Sequence, residues 1–278
     1  MIQDIGEHTF DNQYHPCPPD RESYALYYED HAALVRKYPD RIEFPKFRDI
    51  ERLNEDIYED AVYLFSIDGE RYYLVEEINR ERQSHFTMEN TEIFRYAEPQ
   101  YLAFAGITGY QLHNWYQSRR FCGKCGRRMK KDSKERMLYC EFCHNMEFPK
   151  ICPAVIIGVT DGDKILMSKY AGRTYKKYAL LAGFTEIGET LEETVQREVM
   201  EEVGLKVKNI RYYKSQPWSF TDTLLMGFYC DLDGGAAITL DREELAMAEW
   251  FQRDEIPVEP ERDSITNEMI IRFKNGKV

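Results

Sequence analysis

The stretch that decides the fold of the second half of this chain runs from Gly183 to Leu205 and reads GFTEIGETLEETVQREVMEEVGL. Thr190 and Glu193, three residues apart, form a capping box, which satisfies backbone N–H groups at the start of a helix. Gly204 suits the left-handed position that ends a helix. The stretch therefore predicts a helix that begins at about Leu191 and ends just before Gly204.

The predicted helix has an apolar side and an acidic side. Four residues recur at four-residue steps and form the stripe that packs inward: Leu191, Val195, Val199 and Val203. Glu198, Glu201 and Glu202 stand at i, i+3 and i+4, so their carboxylates share one face. Such carboxylates repel one another unless a cation lies among them, and their hard oxygens suit Mg²⁺ or Mn²⁺. Arg197 is placed to orient a carboxylate by a bidentate pair.

A solvated acidic helix face is the ordinary alternative in a chain with 49 acidic residues. The full spacing favours the metal site. A glycine, a glutamate six positions later, and then the Arg-Glu and Glu-Glu pairs resemble the Nudix box at every defined position. The resemblance implies a metal-dependent hydrolase on an α/β/α sandwich with a mixed sheet.

A second motif lies upstream. Cys122 and Cys125, followed by Cys140 and Cys143, form two CxxC pairs separated by 14 residues. Four thiolates can close tetrahedrally on one Zn²⁺ and leave no open position for water, so the predicted site is structural rather than catalytic. Redox chemistry is the rival interpretation of a CxxC pair. Paired knuckles with glycines for tight turns favour a zinc ribbon.

Positive charge is concentrated in this ribbon. Residues 119–136 contain nine basic and two acidic residues, a net charge of +7, whereas the rest of the chain carries −19 of the total of −12. A basic ribbon on an acidic body would guide a phosphate-rich polymer. The alternative is a small module that keeps its surface charged for solubility.

Length and composition set further limits. The chain of 278 residues is long enough for two domains, or for one with additions. We find no apolar run that could span a bilayer and no signal-peptide pattern, so no membrane partner is expected. The acidic balance argues against broad adhesion to nucleic acid. Seven cysteines, four of them paired in CxxC motifs, fit a reducing compartment, and the expected location is cytoplasmic.

Alternating patterns and turn residues predict the remaining elements. Strands are expected at Ala61–Ile67, Glu70–Ile78, Ala154–Thr160, Lys164–Ser168, Ile210–Lys214, Leu224–Leu232 and Glu249–Gln252. Further helices are expected at Gln100–Trp115 and Ser264–Asn275. The chain is therefore expected to hold an N-terminal α+β domain (1–118), the zinc ribbon (119–150) and an α/β sandwich (151–278).

The order of these parts resembles one Nudix subgroup, the NADH pyrophosphatases. Its members have an N-terminal domain, an FCxxCG ribbon, the box and an SQPW motif, which stands here at 215–218. The subgroup motif continues as SQPWPFPxS, whereas this chain reads SQPWSFTDT. Ser219 and Thr221 therefore replace two prolines and Thr223 replaces a serine, which leaves the loop less preordered.

The resemblance implies a role for individual residues. Glu198, Glu201, Glu202 and Glu244 correspond to ligands of the catalytic Mg²⁺ or Mn²⁺, with Glu202 the most closely tied to catalysis. Phe184 and Trp218 correspond to an aromatic pair that sandwiches nicotinamide. Further substrate-binding positions are Phe148, Ala182, Gln216, Thr223 and Thr266. Without the resemblance, Phe184 and Trp218 would be ordinary core aromatics.

The resemblance also implies the reaction. The expected activity is hydrolysis of NAD(H) to NMN(H) and AMP, and removal of the NAD cap from the 5′ end of RNA, by a homodimer with a shared active site in which Trp218 comes from the other subunit. Another nucleoside diphosphate derivative such as ADP-ribose is the alternative substrate. A nucleotide- or RNA-sensing module without catalysis is the alternative of another class.

Overall fold

The structure is a computed structural model that describes residues 1–54, 56–79, 85–172, 177–262 and 264–278. It divides into two compact units. The N-terminal unit contains residues 2–150 together with Ser219–Thr221, and the C-terminal unit contains Ile151–Trp218 and Asp222–Val278 with Met1. The division into three domains stays a prediction.

The N-terminal unit is built from short strands around one long helix. Its strands before the ribbon are Phe10–Asp11, Tyr24–Leu26, Tyr28–Glu29, Ala32–Lys37, Ile42–Glu43, Val62–Ile67, Glu70–Leu74 and Thr87–Asn90, and its helical segments are Phe47–Ile50, Thr91–Arg95 and Gln100–Ser118. The predicted hairpin around Asp68 and Gly69 is confirmed. Its second strand ends at Leu74 rather than Ile78, because Leu74 already pairs with Val62, the first residue of the partner strand.

The long helix Gln100–Ser118 confirms the helix predicted at Gln100–Trp115 and extends it by one turn. Two glycines in its interior weaken its intrinsic helix propensity. A Cβ on Gly106 would lie 2.5 Å from the Phe94 ring, and one on Gly109 would lie 2.5 Å from the Leu26 side chain. The glycines therefore allow neighbouring side chains to pack directly on the helix backbone.

The cysteine pairs lie on a small antiparallel sheet of their own. Its strands are Lys130–Lys131, Leu138–Tyr139 and Met146–Glu147. Cys122, Cys140 and Leu138 belong to the same apolar cluster as residues of the long helix. The ribbon therefore shares the hydrophobic core of the N-terminal unit.

The C-terminal unit contains a sheet whose described strands number six. They are Cys152–Asp161, Lys164–Tyr170, Leu181–Phe184, Val207–Trp218, Thr223–Leu232 and Leu245–Gln252. Strands Cys152–Asp161 and Thr223–Leu232 run parallel, and the other pairings are antiparallel. The predicted mixed sheet is confirmed. Strand Leu181–Phe184 had no separate prediction because it is only four residues long.

Helices cover both faces of this sheet. Val155 and Ile157 pack in one cluster with the valine stripe of the box helix, Leu191–Val203. Ile156, which points to the other face because strand residues alternate, packs in a second cluster with the C-terminal helix, Ile265–Lys274. The α/β/α sandwich is confirmed. None of the described helices combines the length and the hydropathy that crossing a membrane requires.

Candidate active site and zinc site

The box helix begins and ends where the sequence predicts. The Thr190 hydroxyl accepts a hydrogen bond from the Glu193 N–H at 3.2 Å, and the Glu193 carboxylate accepts one from the Thr190 N–H at 2.8 Å. Gly204 closes the helix with a φ of 68°. The capping box and the left-handed end are confirmed. Together they fix which residues of the helix face the sheet and which face away from it.

Three box glutamates lie on the helix, but their environments differ. Glu198 is 8% exposed and Glu202 is 2% exposed, whereas Glu201 faces solvent. Residues four apart lie one above the other on a helix, so the two buried carboxylates line the same inner edge. The acidic face is therefore a buried pair with one exposed neighbour.

Arg197 organises this part of the unit. Its Nε and Nη2 atoms donate to the two carboxylate oxygens of Glu189 at 2.6 and 2.9 Å, which confirms the predicted bidentate pair. Its Nη1 atom donates to Glu198 at 2.7 Å and to Glu201 at 3.0 Å. The Nη2 atom also donates to the Phe184 carbonyl at 2.9 Å. One guanidinium thus joins the loop before the helix, the helix itself and the end of a strand.

Glu189 is the partner that the sequence left undetermined. Hydrogen bonding from Arg197 holds the pKa of the Glu189 carboxyl down, at about 2, so this carboxylate stays ionised at any ordinary pH. Thr194 also donates its hydroxyl to Glu189 at 3.0 Å. The only signal in the sequence was the fixed spacing between Gly183 and Glu189 in the box.

Gly183 makes room for the carboxylate of Glu198. A Cβ at this position would lie between 1.9 and 2.3 Å from the carboxylate atoms of Glu198. Real Cβ atoms do not approach so closely, so Glu198 can occupy its place only because residue 183 has no side chain. This cradle explains why the box requires a glycine 15 residues before the glutamate.

The electrostatics at Glu198 favour a cation. Burial raises the pKa of the Glu198 carboxyl, Arg197 opposes that shift, and the charges of Glu201 and Glu244 add to it. Glu244 is exposed and lies just before strand Leu245–Gln252. Glu244, the ligand predicted from a distant part of the sequence, is therefore close enough to Glu198 for its charge to raise the pKa of that carboxyl.

This donor set fits a divalent cation of the hard, oxygen-binding kind. Two buried carboxylates that repel one another gain from a positive charge between them. Within the described ranges, only the four cysteines bring three or more ligand atoms within 4.8 Å of one another. The carboxylates of Glu198 and Glu201 are instead directed to Arg197.

The aromatic and polar candidates lie at one end of the sheet of the C-terminal unit. Phe184 pairs with Ala154 on one side of strand Cys152–Asp161, and Thr223 pairs with Cys152 on its other side. Trp218 in turn stands opposite Thr223. Phe184 is 56% exposed, and its carbonyl is the one that Arg197 binds. The pairing register thus brings Phe184, Thr223 and Trp218 to the same end of the sheet.

The remaining candidates have different surroundings. Gln216 is fully buried, and its side-chain oxygen accepts a hydrogen bond from the Ile265 N–H at 2.7 Å, which anchors the start of the C-terminal helix. Thr266, the next residue of that helix, is partly buried, as is Ala182 in strand Leu181–Phe184. Phe148 is 54% exposed and belongs to the N-terminal unit.

The four ribbon cysteines form a metal site by their geometry. The sulfurs of Cys122 and Cys143 are 3.5 Å apart, as are those of Cys125 and Cys140. A disulfide requires about 2.05 Å. Two ligands of a tetrahedral zinc with bonds of about 2.3 Å are separated by about 3.8 Å. The observed distances therefore fit zinc ligands and exclude disulfide bonds.

Backbone groups favour the thiolate form of Cys140. The N–H groups of Cys143 and Phe142 lower the pKa of the Cys140 thiol to about 6. A thiolate is the form that binds zinc. Zinc is therefore the metal that this quartet fits.

The C-terminal unit resembles a known protein family. Residues 150–273 match the family model of the NUDIX domain. A solved structure, a NUDIX hydrolase from Nitrosomonas europaea, is similar with a TM-score of 0.49 at 24% identity, over 57% of this chain and 92% of that chain.

Two relatives have a higher sequence identity to this chain than that structure has. The chain is 41% identical over 162 residues to the NAD-capped RNA hydrolase NudC of Photorhabdus laumondii subsp. laumondii, covering 58% of this chain and 63% of that protein. It is 41% identical over 162 residues to the protein of the same name from Enterobacter sp. (strain 638), covering 58% and 62%. The chain thus matches about three fifths of the length of these relatives.

Zinc should hold the ribbon together. We expect Cys122→Ser to lose bound zinc and to lower the melting temperature, because a closed Cys₄ site contributes folding free energy. Elemental analysis and thermal unfolding measure both effects. Cys152→Ser, which changes a thiol outside the quartet, should keep one zinc per chain. A folded Cys122→Ser protein with unchanged zinc content would contradict the assignment.

The cradle at Gly183 should matter for metal binding more than for folding. In Gly183→Ala the new methyl group displaces the end of the Glu198 side chain, so we expect weaker Mn²⁺ binding with a nearly unchanged melting temperature. Gly235→Ala is the control, because a Cβ there meets nothing within 4 Å. Mn²⁺ titration followed by electron paramagnetic resonance gives the affinities. Equal Mn²⁺ affinity in both variants would refute the role of the cradle.

Proposed function

We propose that this protein is a metal-dependent pyrophosphohydrolase that cleaves the diphosphate of NAD(H), because residues 150–273 match the family model of the NUDIX domain. Water attacks the diphosphate, and the products are NMN(H) and AMP. We propose that NAD-capped RNA is a substrate as well. The observation that carries the proposal is the buried pair Glu198 and Glu202 beside Arg197, in a chain that is 41% identical over 162 residues to a protein named for hydrolysis of NAD-capped RNA.

The arrangement of charge supports this reaction. A dinucleotide diphosphate carries two negative charges at the bond that breaks, and the carboxylates of the box repel it. Divalent cations, when bound, neutralise that charge, activate the attacking water and stabilise the leaving phosphate. We propose Glu198, Glu201, Glu202 and Glu244 as their ligands and Mg²⁺ or Mn²⁺ as the ions.

Arg197 has a positioning role in this proposal. By binding Glu189 and the Phe184 carbonyl it fixes its own guanidinium. It can then hold Glu198 and Glu201 in place without reaching the substrate. Glu202, the more deeply buried of the two buried carboxylates, is the group proposed to orient the attacking water.

Phe184 and Trp218 supply the proposed selectivity. Phe184 is more than half exposed, at the end of the sheet where Thr223 and Trp218 also lie. An exposed phenyl ring offers a face on which a flat nicotinamide can stack. The resemblance to the NADH pyrophosphatases supports a homodimer in which Trp218 completes the clamp of the other subunit. We also propose the cytoplasm as its location, because none of its seven cysteines forms a disulfide bond.

The decisive experiment is a kinetic comparison of NADH, NAD⁺, ADP-ribose and NAD-capped RNA, each with Mg²⁺ and with Mn²⁺. The proposal requires cleavage of NAD(H) and of the cap at the diphosphate. Preference for ADP-ribose over both would favour the alternative substrate class. Absence of hydrolysis with every substrate would favour a sensing module.

Glu202→Gln should keep the fold and lower kcat by about 100-fold or more, because both metal and water positioning suffer. Glu192→Gln is the matched control, since Glu192 is exposed on the same helix away from the buried pair. Steady-state kinetics with NADH measure the effect. Near-normal turnover by folded Glu202→Gln protein would refute the catalytic assignment.

Trp218→Ala should damage hydrolysis of NADH and of capped RNA much more than that of ADP-ribose, which has no nicotinamide. Stacking of a base on an aromatic ring is worth about 1–3 kcal/mol, so a selective loss of about 5- to 150-fold is expected. The ratio of kcat/KM for NADH to that for ADP-ribose measures it.

Trp250 provides the contrast, because it packs in the apolar cluster of the box helix. Trp250→Ala should reduce all activities uniformly and lower the melting temperature. The same uniform behaviour in Trp218→Ala would mean that Trp218 is a core residue.

Mixing Glu202→Gln with Trp218→Ala protein tests the shared site, since a heterodimer regains one intact site. No recovery after demonstrated subunit exchange would show that each subunit builds its own site.

A further inference from the structure

Two phenylalanines of the ribbon are exposed, and each lies beside an arginine. The Phe142 ring is 61% exposed, with the guanidinium carbon of Arg127 3.4 Å from its centroid. The Phe121 ring is 63% exposed, and Phe121 is the antiparallel bridge partner of Arg128. Large apolar side chains are normally buried, so two exposed rings on one small module require an explanation.

The basic residues of the ribbon fall into two groups. Five are engaged with the N-terminal unit itself: Arg119 with Glu147, Arg120 and Lys131 with Glu76, Lys130 with Glu141, and Arg136 with Asn12 and the Leu64 carbonyl. Lys124, Arg127, Arg128 and Lys134 form no ion pair with any described residue. The first three of these cations stand in and directly after the first cysteine knuckle.

Solubility explains charge but not this combination. Charged residues keep a surface hydrated, whereas exposed phenyl rings work against that purpose. Cations next to accessible aromatic faces are instead the surface that single-stranded nucleic acid binds, because every base has a face to stack and every nucleotide carries a phosphate. The remainder of the chain carries a charge of −19, which would repel the same polymer.

We propose that the knuckle face, defined as Phe121, Lys124, Arg127, Arg128 and Phe142, binds single-stranded RNA. Bases stack on the two phenylalanines, and phosphates lie against the three cations. The identity of the polymer rests on the proposed function, since an NAD cap is followed by an RNA strand. The zinc ribbon thus has a binding role in addition to its structural one.

The test measures binding of an uncapped, fluorescently labelled single-stranded RNA of about 16 nucleotides, near the upper site size of a single-strand-binding module. Anisotropy titrations compare the full-length protein with Phe142→Ala. We expect the affinity to fall about 5- to 150-fold, the range for loss of one stacked base. Tyr96→Ala is the matched control, because Tyr96 is 70% exposed in the same unit but lies outside the ribbon.

Charge is tested separately by salt dependence. Each phosphate contact to a single strand contributes about 0.7 to the slope of log affinity against log salt. The triple variant Lys124→Gln, Arg127→Gln, Arg128→Gln should therefore flatten that slope by about 2. The control removes three exposed cations elsewhere: Arg21→Gln, Lys208→Gln and Lys277→Gln. Zinc content and melting temperature of every variant verify that the ribbon is folded.

Two enzymatic measurements separate this inference from the proposed function. Knuckle-face variants should hydrolyse free NADH at the wild-type rate, while their KM for NAD-capped RNA rises in parallel with the loss of RNA affinity. RNA binding that depends on the knuckle face in a protein without NADH hydrolysis would support the inference and refute the function. Unchanged RNA affinity in folded knuckle-face variants would overturn the inference. A change of oligomeric state in Phe142→Ala with unchanged RNA affinity would overturn it as well and mark the face as a contact between copies.

Discussion

The guanidinium of Arg197 is the contact on which the candidate active site depends. Arginine has five N–H donors in a rigid plane, and here all five have acceptors within the C-terminal unit. Two go to Glu189 in the preceding loop, one to the Phe184 carbonyl at a strand end, and one each to Glu198 and Glu201. Loop, strand and helix are therefore fixed relative to one another by a single side chain. A lysine could not replace it, because an ammonium has three donors and no planar fork.

Missing side chains are as important here as those present. Gly183 lets a carboxylate occupy space that any Cβ would fill, and Gly106 lets an aromatic ring contact the backbone of the long helix. In both places a glycine exchanges intrinsic helix or strand stability for close approach. At Gly183 the gain is the position of a charged group. At Gly106 it is a denser core.

The chain offers two proposed metal sites of opposite design. The four ribbon sulfurs lie within 4.8 Å of one another, and a closed set of this kind leaves no position for substrate. The box carboxylates of Glu189, Glu198 and Glu201 stand around Arg197, and their hard oxygens suit a cation that also binds phosphate. The soft site is part of the hydrophobic core of the N-terminal unit, so its chemistry serves folding. The hard site lies on a scaffold that its own capping box and valine stripe already hold in place.

The sequence by itself determined the box helix, its cap, the mixed sandwich around it and the cysteine quartet. These features depend on hydrogen bonds between residues three or four apart, on period-2 and period-3.6 patterns and on short fixed spacings, all of which are local. Strand Leu181–Phe184 escaped prediction because four residues carry too little pattern. Only the tertiary structure decided that Glu189 is the partner of Arg197, that Glu198 and Glu202 are buried while Glu201 is exposed, and that Gln216 anchors a distant helix. Those outcomes depend on which elements pack together. A carboxylate eight residues away, or an amide 49 residues away, becomes a neighbour only when the sheet and helices have assembled.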